Sequence, residues 1–251
     1  MSDSYLAAVG KRTADASEPP PARIWLVSDV HAEYKENLSW LRELGASSEF
    51  KEDVLILAGD VSADLGIVRD VFRALLRGFK TIFFTPGNHD CWTKPAPQSP
   101  RTTGARQHWS SQPSSRPSSP ARQSSLEKLR ELFELCAELG VHTQPAHVAG
   151  AVIAPILSWY HASWDTEPDV IGWDIPPHDM VMKDFYMCAW PPPLSAANDS
   201  VARHLDALND EGGVEMRGLE TRVRALLDAH PAAPLITFSH FVPRMELNPE
   251  K

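Results

Sequence analysis

Four short clusters in this chain combine residue types that pack poorly and bind cations well: Asp29-Val30-His31, Gly59-Asp60, Gly87-Asn88-His89-Asp90 and Ser239-His240. Asp29 and His31 stand two residues apart. In extended backbone that spacing puts a carboxylate and an imidazole on one side, where both can face one ion. Gly59 and Gly87 precede polar residues and allow close approach of backbone to a ligand. Taken singly, Asp29, Asp60 or Asn88 is an ordinary turn or capping residue, and His240 an ordinary satisfied imidazole. Together, carboxylates, an amide oxygen and imidazoles make a donor set for hard-to-borderline cations.

The elements that must position these clusters are legible. Ile24-Trp25-Leu26-Val27, Val54 to Ala58 and Thr81 to Phe84 are continuous apolar runs of strand length, each ending at one of the first three clusters. Between them, Leu38, Trp40, Leu41 and Leu44 recur at helical spacing before Gly45. Val68, Phe72, Leu75 and Leu76 do the same before Gly78. Strand, helix, strand, helix, strand with apolar strands predicts a parallel α/β sheet covered on both faces. Ligands of such sheets sit at the carboxyl ends of the strands, so the clusters converge. A helix follows from about Leu126 to Leu139, with Leu129, Leu132, Phe133, Cys136 and Leu139 inward. His147-Val148 and Ala151 to Leu157 predict a hairpin turning at Gly150. Ser158 to Pro193 reads as aromatic- and proline-rich loop. Asn198 to Leu208 and Val214 to Leu227 read as helices, and Leu235 to Phe238 as a last strand ending at Ser239-His240.

The clusters resemble those of the calcineurin-like metallophosphoesterases, in order and with separations of 31 residues (Asp29 to Asp60) and 28 (Asp60 to Asn88). The resemblance covers Arg23 to His240. Leu157-Ser158-Trp159-Tyr160-His161 and Gly172-Trp173-Asp174 are similar to a plant- and alga-type branch. The resemblance implies a four-layer α/β/β/α sandwich and a phosphomonoester or phosphodiester hydrolase with two metal ions, drawn from manganese, iron and zinc. Asp29 and His31 would hold the first ion, Asp60 would bridge, and Asn88 and His240 would hold the second. His89 would stabilise or protonate the leaving group, with Asp90 orienting it. Two cations roughly 3.5–4 Å apart clamp a phosphoryl group and acidify the attacking water. An imidazole of ordinary pKa about 6.5 supplies a proton near neutral pH.

The family's last motif, Gly-His-x-His, is not found here. We therefore expect a domain truncated after Lys251, weakened metal sites and missing strands in the second sheet. The alternative is a catalytically impaired scaffold or fragment that binds a protein partner. His89, whose counterpart is absent from the scaffold type of this fold, favours the enzyme.

The remaining composition sets bounds. The chain has 251 residues, a net charge of −9 and 43% hydrophobic residues, which fits a folded domain and argues against a nucleic-acid coat. No apolar run reaches membrane-spanning length. Residues 1–22 read as a flexible tail ahead of a domain over 23–251. No apolar h-region follows the start, so no secretory signal is expected. Cys91, Cys136 and Cys188 are too scattered for a disulfide scaffold. We expect a reducing, cytoplasmic location, with organellar import left open although Asp3, Asp15 and Glu18 count against it. Lys94 to Ser125 has no acidic residue and a charge of +5. It reads as a disordered insertion, with Ser-Pro pairs at Ser99 and Ser119. His161 stands beside Trp159 and Tyr160, either lining a pocket or packed on aromatics. Glu220 and Arg224 form an i, i+4 ion pair. The substrates expected are phosphorylated small molecules or phosphoproteins, and no substrate-binding residue is assigned.

Overall fold

The structure is a computed structural model describing residues 22–93, 122–166, 168, 172, 176, 178–211 and 218–247. Three parallel strands, β1 (Ile24–Val27), β2 (Val54–Ala58) and β3 (Thr81–Thr85), pair in the order β1-β2-β3. Leu26 lies opposite Ile56, which lies opposite Phe83. The crossovers are α1 (Lys35–Ala46) and α2 (Leu65–Leu75). A second sheet holds β4 (Ala146–Val148), β5 (Ala151–Pro155) and β6 (Leu235–Phe238). There β4 runs antiparallel to β5, and β6 parallel to it.

Alternation along β2 divides the core, because successive side chains leave opposite faces of a strand. Leu55 and Leu57 join Ile82, Phe84, Val68, Phe72 and Leu132 on the helical side. Val54, Ile56 and Ala58 join Phe83, Ile153 and Phe238 between the two sheets. The helical side is covered by α1, α2 and α3 (Ser125–Leu139), and the far side of the second sheet by α7 (Leu219–Ala229). This is the four-layer sandwich expected from the sequence.

Two helix starts are capped by side chains. Asp64 accepts from the Gly66 and Ile67 amides at the start of α2. Ser124 and Glu127 exchange hydrogen bonds with each other's backbone at the start of α3, which satisfies amides the helix itself leaves unpaired. The expected insertion therefore ends earlier than Ser125. Arg122 bonds the Thr93 hydroxyl at 2.8 Å, and Ser125 is buried, its hydroxyl donating to the Cys91 carbonyl. The rest of that insertion, residues 94–121, lies outside the described residues. So do the tail 1–21 and Trp173-Asp174.

Other expectations need correction. Of the residues that recur at helical spacing in α1, Trp40 is exposed, and the buried positions of the helix are Leu41 and Gly45, the latter inside the helix rather than at its stop. Gly45 is there because a Cβ would lie 2.2 Å from the Ala74 carbonyl of α2. The segment after Leu157 contains short helices, α4 (His178–Val181) and α5 (Asp184–Met187). Beyond it, α6 spans Ser200–Glu211, and α7 starts at Leu219, with 212–217 outside the described residues. Glu220 and Arg224 do bond, at 2.8 and 2.6 Å on an exposed face. The three cysteines are free and buried. No described helix is long and apolar enough to cross a membrane.

Candidate metal centre

The loops after β1, β2 and β3 meet. The Asp29 amide donates to the Gly59 carbonyl (3.1 Å), and the His31 amide to that of Asp60 (3.0 Å). Asp29, His31 and Asp60 all adopt positive φ, at 56°, 40° and 56°. Such backbone is uncommon without glycine and costs energy that the surrounding structure must supply. The three strained non-glycine residues are three of the candidate ligands. Among the described residues the other non-glycine residue with positive φ, Ala149, precedes Gly150 in the hairpin turn of the second sheet.

Glycine is obligatory beside them. A Cβ on Gly87 would lie 2.2 Å from Asp60 Oδ1, and one on Gly59, at φ 86°, would lie 2.6 Å from His240 Nδ1. Both side chains reach the centre through space that no other residue leaves free.

Asp60 is buried, and its two carboxylate oxygens face different groups. Oδ1 accepts the His89 amide at 2.9 Å and lies 3.5 Å from His240 Nε2. Oδ2 lies 3.8 Å from His31 Nε2 and 3.9 Å from His89 Nε2. Burial holds the Asp60 carboxyl above the usual range, against the pull of His240 and His31. Asp29, Asp60 and His240 offer ligand atoms within 4.8 Å of one another, and so do His31, Glu33 and His89. The Ser28 hydroxyl bonds the Asp29 carboxylate.

His240 closes the centre on the side of the second sheet. Its Nδ1 lies 2.9 Å from the Ala58 carbonyl, which only accepts, so Nδ1 carries the proton of the neutral ring. Its Nε2 is then a lone pair, 3.1 Å from Asn88 Oδ1. Asn88 has committed its NH2 to Asp184 Oδ1, at 2.9 Å. Two acceptors therefore point into one space, beside a carboxylate. Those atoms and the carboxylate make a donor set that suits a cation.

His89 stacks on Trp92, ring centroids 3.5 Å apart, and lies edge-on to His31 at 4.5 Å. Its Nδ1 is buried without a hydrogen-bond partner. Burial, then repulsion from His31, hold its pKa below the ordinary imidazole value. The expected role of Asp90 is not what the structure shows. Its carboxylate is filled by four backbone amides: Asp60 (2.8 Å) and Gly87 (2.9 Å) at Oδ2, and Val61 (3.0 Å) and Ser62 (3.1 Å) at Oδ1. Burial pushes its pKa up to about 6, while the amides pull it down. Asp90 pins two loops together and leaves no lone pair for His89. Glu33 faces His89 instead, its Oε1 lying 3.9 Å from His89 Nδ1 and 3.5 Å from His31 Nδ1.

Residue type alone did not single out Glu33, Trp92 or Asp184. Glu33 lies two residues beyond His31 and Trp92 three beyond His89, so proximity to a motif was their only signal. Asp184 had none. His161 stands apart from this set, stacked on Trp164 at 4.5 Å with Asp206 Oδ2 3.4 Å from its Nε2. Burial raises the Cys91 thiol well above its ordinary pKa, which disqualifies it as a nucleophile.

Residues 22–139 match the family model of the calcineurin-like phosphoesterases. Over that span, just under half of the chain, the sequence is similar to a calcineurin-like phosphoesterase domain. That span holds Asp29, His31, Asp60, Asn88 and His89, while His240 and Asp184 lie beyond it. Over 70 residues the chain is 36% identical to an acyl-carrier-protein phosphodiesterase, PptH, of Mycobacterium tuberculosis. The match covers 28% of this chain and 21% of that relative. The crystal structure of phosphopantetheinyl hydrolase (PptH) from the same organism superposes with a TM-score of 0.54 at 20% identity. It covers 88% of this chain and 69% of that one. The phosphoesterase fold thus extends past the matched span into the second sheet.

Proposed function

We propose that the chain is a metal-dependent phosphoesterase that hydrolyses a phosphomonoester or phosphodiester by a two-metal mechanism. The observation that carries this reading is the convergence of His240 Nε2 and Asn88 Oδ1, 3.1 Å apart, on the Asp60 carboxylate. Asn88 and His240 would hold one cation, Asp29 and His31 the other, with the two oxygens of Asp60 serving both. Manganese, iron and zinc all suit imidazole, carboxylate and amide donors. When bound, the cations supply positive charge to the phosphoryl oxygens and acidify the attacking water.

The chain's own residues do the rest. Asp60 and the strained Asp29 and His31 are held in place before substrate arrives, so little reorganisation is left to the reaction. His89 hydrogen-bonds the leaving oxygen through Nε2, the nitrogen on the Asp60 side. Its lowered pKa makes its imidazolium a readier proton donor. Trp92 on one ring face and Glu33 on the Nδ1 side fix how that ring is turned. A cavity of about 590 Å³ lined by Tyr160, His161, Phe185 and Phe241 adjoins this centre in sequence, through Phe185 after Asp184 and Phe241 after His240. It offers apolar surface to an alcohol group. The mycobacterial relative is a phosphodiesterase, which supports testing phosphodiesters first.

The test is hydrolysis of bis(p-nitrophenyl) phosphate and p-nitrophenyl phosphate by the full chain with added manganese. Activity on either that falls at least ~100-fold in His89→Ala supports the reading. No turnover of either ester with manganese, iron or zinc overturns it in favour of a scaffold.

A further inference from the structure

Asp184 lies in α5, 96 residues beyond Asn88 in the sequence. It is 3% exposed. Its Oδ1 accepts from Asn88 Nδ2 at 2.9 Å and from the Trp92 indole at 2.6 Å. No Lys or Arg forms an ion pair with it among the described residues. An unpaired carboxylate is costly to bury, and its retention calls for a compensating charge or a specific geometric task.

We propose that Asp184 is the positioning residue of the centre: its buried carboxylate holds the Asn88 amide with its oxygen toward His240 and anchors the Trp92 ring beneath His89. The inference rests on the phosphoesterase reading above.

The chemistry is one of donor and acceptor roles. An amide side chain turned by 180° exchanges its oxygen for its NH2, and the two forms occupy the same volume. With NH2 inward, Asn88 would point hydrogens at the cation and lose its value as a ligand. Asp184 Oδ1 is the acceptor for both Asn88 Nδ2 and the Trp92 indole, so it is matched by the form with the NH2 turned toward Asp184 and the oxygen toward His240. The same oxygen receives the Trp92 indole, and that indole is the surface on which His89 stacks. One carboxylate therefore sets the orientation of both a metal ligand and the proton donor. A cation held by Asn88 and His240 would lie one side chain away from this buried carboxylate and would offset the cost of burying it. Residues that orient metal ligands typically contribute 10–100-fold to metal affinity.

The experiment is calorimetric titration of Mn²⁺ into the metal-free full chain, for wild type, Asp184→Ala, Asn88→Ala and the double variant. Melting of each metal-free protein is recorded in parallel. Asp184→Ala should weaken one of the two Mn²⁺ sites 10–100-fold. The double variant should bind no more than twofold weaker than Asn88→Ala alone, because Asp184 acts through Asn88. A residue that merely stabilises the fold would instead lower the melting temperature and add its full factor to that of Asn88→Ala. That result, or wild-type Mn²⁺ affinity in Asp184→Ala, overturns the proposal while leaving the phosphoesterase reading intact. If Asp184→Ala does not fold, the isosteric Asp184→Asn replaces it. Its NH2 permits the turned amide, so the same non-additive loss is expected, and wild-type affinity again overturns the proposal. A wild-type chain that binds no Mn²⁺ overturns the underlying reading and this inference together.

Discussion

Asp90 holds Asp60 by its backbone. The Asp90 Oδ2 takes the Asp60 amide at 2.8 Å and the Gly87 amide at 2.9 Å, while Oδ1 takes the next two amides of the Asp60 loop. The buried carboxylate thus ties the tip of β2 to the tip of β3. Asn at this position supplies one acceptor oxygen and turns an NH2 toward amides that are themselves donors. A buried amide left without an acceptor costs about 1–3 kcal/mol. Asp90→Asn should therefore lose about 3 kcal/mol of stability, read as a lower urea midpoint. A loss under about 0.5 kcal/mol would show that the loops hold themselves.

A second carboxylate predicts a pH dependence. Burial by itself raises the Asp53 pKa, but the Trp25 indole, the Arg23 amide and the Arg23 guanidinium outweigh it and hold it below 3.8. A lowered folded-state pKa adds stability above the ordinary value, and that stability is lost as pH falls through the folded one. Asp53→Asn should cost about 1–2 kcal/mol at pH 7, the Arg23 side chain being partly exposed and screened. The gap between variant and wild type should shrink steadily below pH 4 in urea titrations. A gap of constant size from pH 7 to pH 3 would place the Asp53 contribution in packing rather than charge.

The first sheet was legible because its strands are continuous apolar runs that stop at polar residues, a signal that survives without tertiary context. The convergence of the candidate ligands was legible for the same reason: Asp29, Asp60 and Asn88 stand where strands end. Trp40 shares the helical spacing of its neighbours and is exposed, because spacing names a face but not which face is covered. The role of Asp90 was hidden because its partners are backbone amides, which every residue carries and no residue type advertises. Asp184 was hidden by distance, since a contact across 92 to 96 residues from a segment without periodicity leaves no local trace.

Close approach of backbone to ligand makes Gly87 intolerant of the smallest side chain. A Cβ there falls 2.2 Å from Asp60 Oδ1 and 2.7 Å from the Asp60 amide nitrogen. The amide belongs to the buried Asp90 clamp, so the loop cannot step aside without breaking it. Gly87→Ala should destabilise the fold by about 1–3 kcal/mol, the usual range for overpacking. It should also weaken Mn²⁺ binding, because the oxygen displaced is one that serves the centre. Calorimetric melting and Mn²⁺ titration check both. An alanine variant with wild-type melting and affinity would mean the Asp60 side chain has room that the structure denies it.

Metal removal gives the last prediction. The strained φ values of Asp29, His31 and Asp60 bring anionic and lone-pair atoms together, so the metal-free centre works against its own repulsion. A cation relieves this only in the folded state, where the ligands are assembled. Binding to the folded state alone stabilises by about 2.7 kcal/mol when free metal is at a hundred times its dissociation constant. For a domain of this size each kcal/mol moves the midpoint by roughly 2–4 °C. EDTA should therefore lower the melting temperature by about 5–10 °C relative to excess Mn²⁺, and re-addition should restore it. Asp60→Asn is the control. Its amide oxygen still accepts the His89 amide, but the charge facing His31 and His240 is gone. That variant should melt at nearly the same temperature with EDTA or Mn²⁺. A wild-type chain with no difference between the two conditions would place the cation, and the chemistry that depends on it, somewhere other than Asp60.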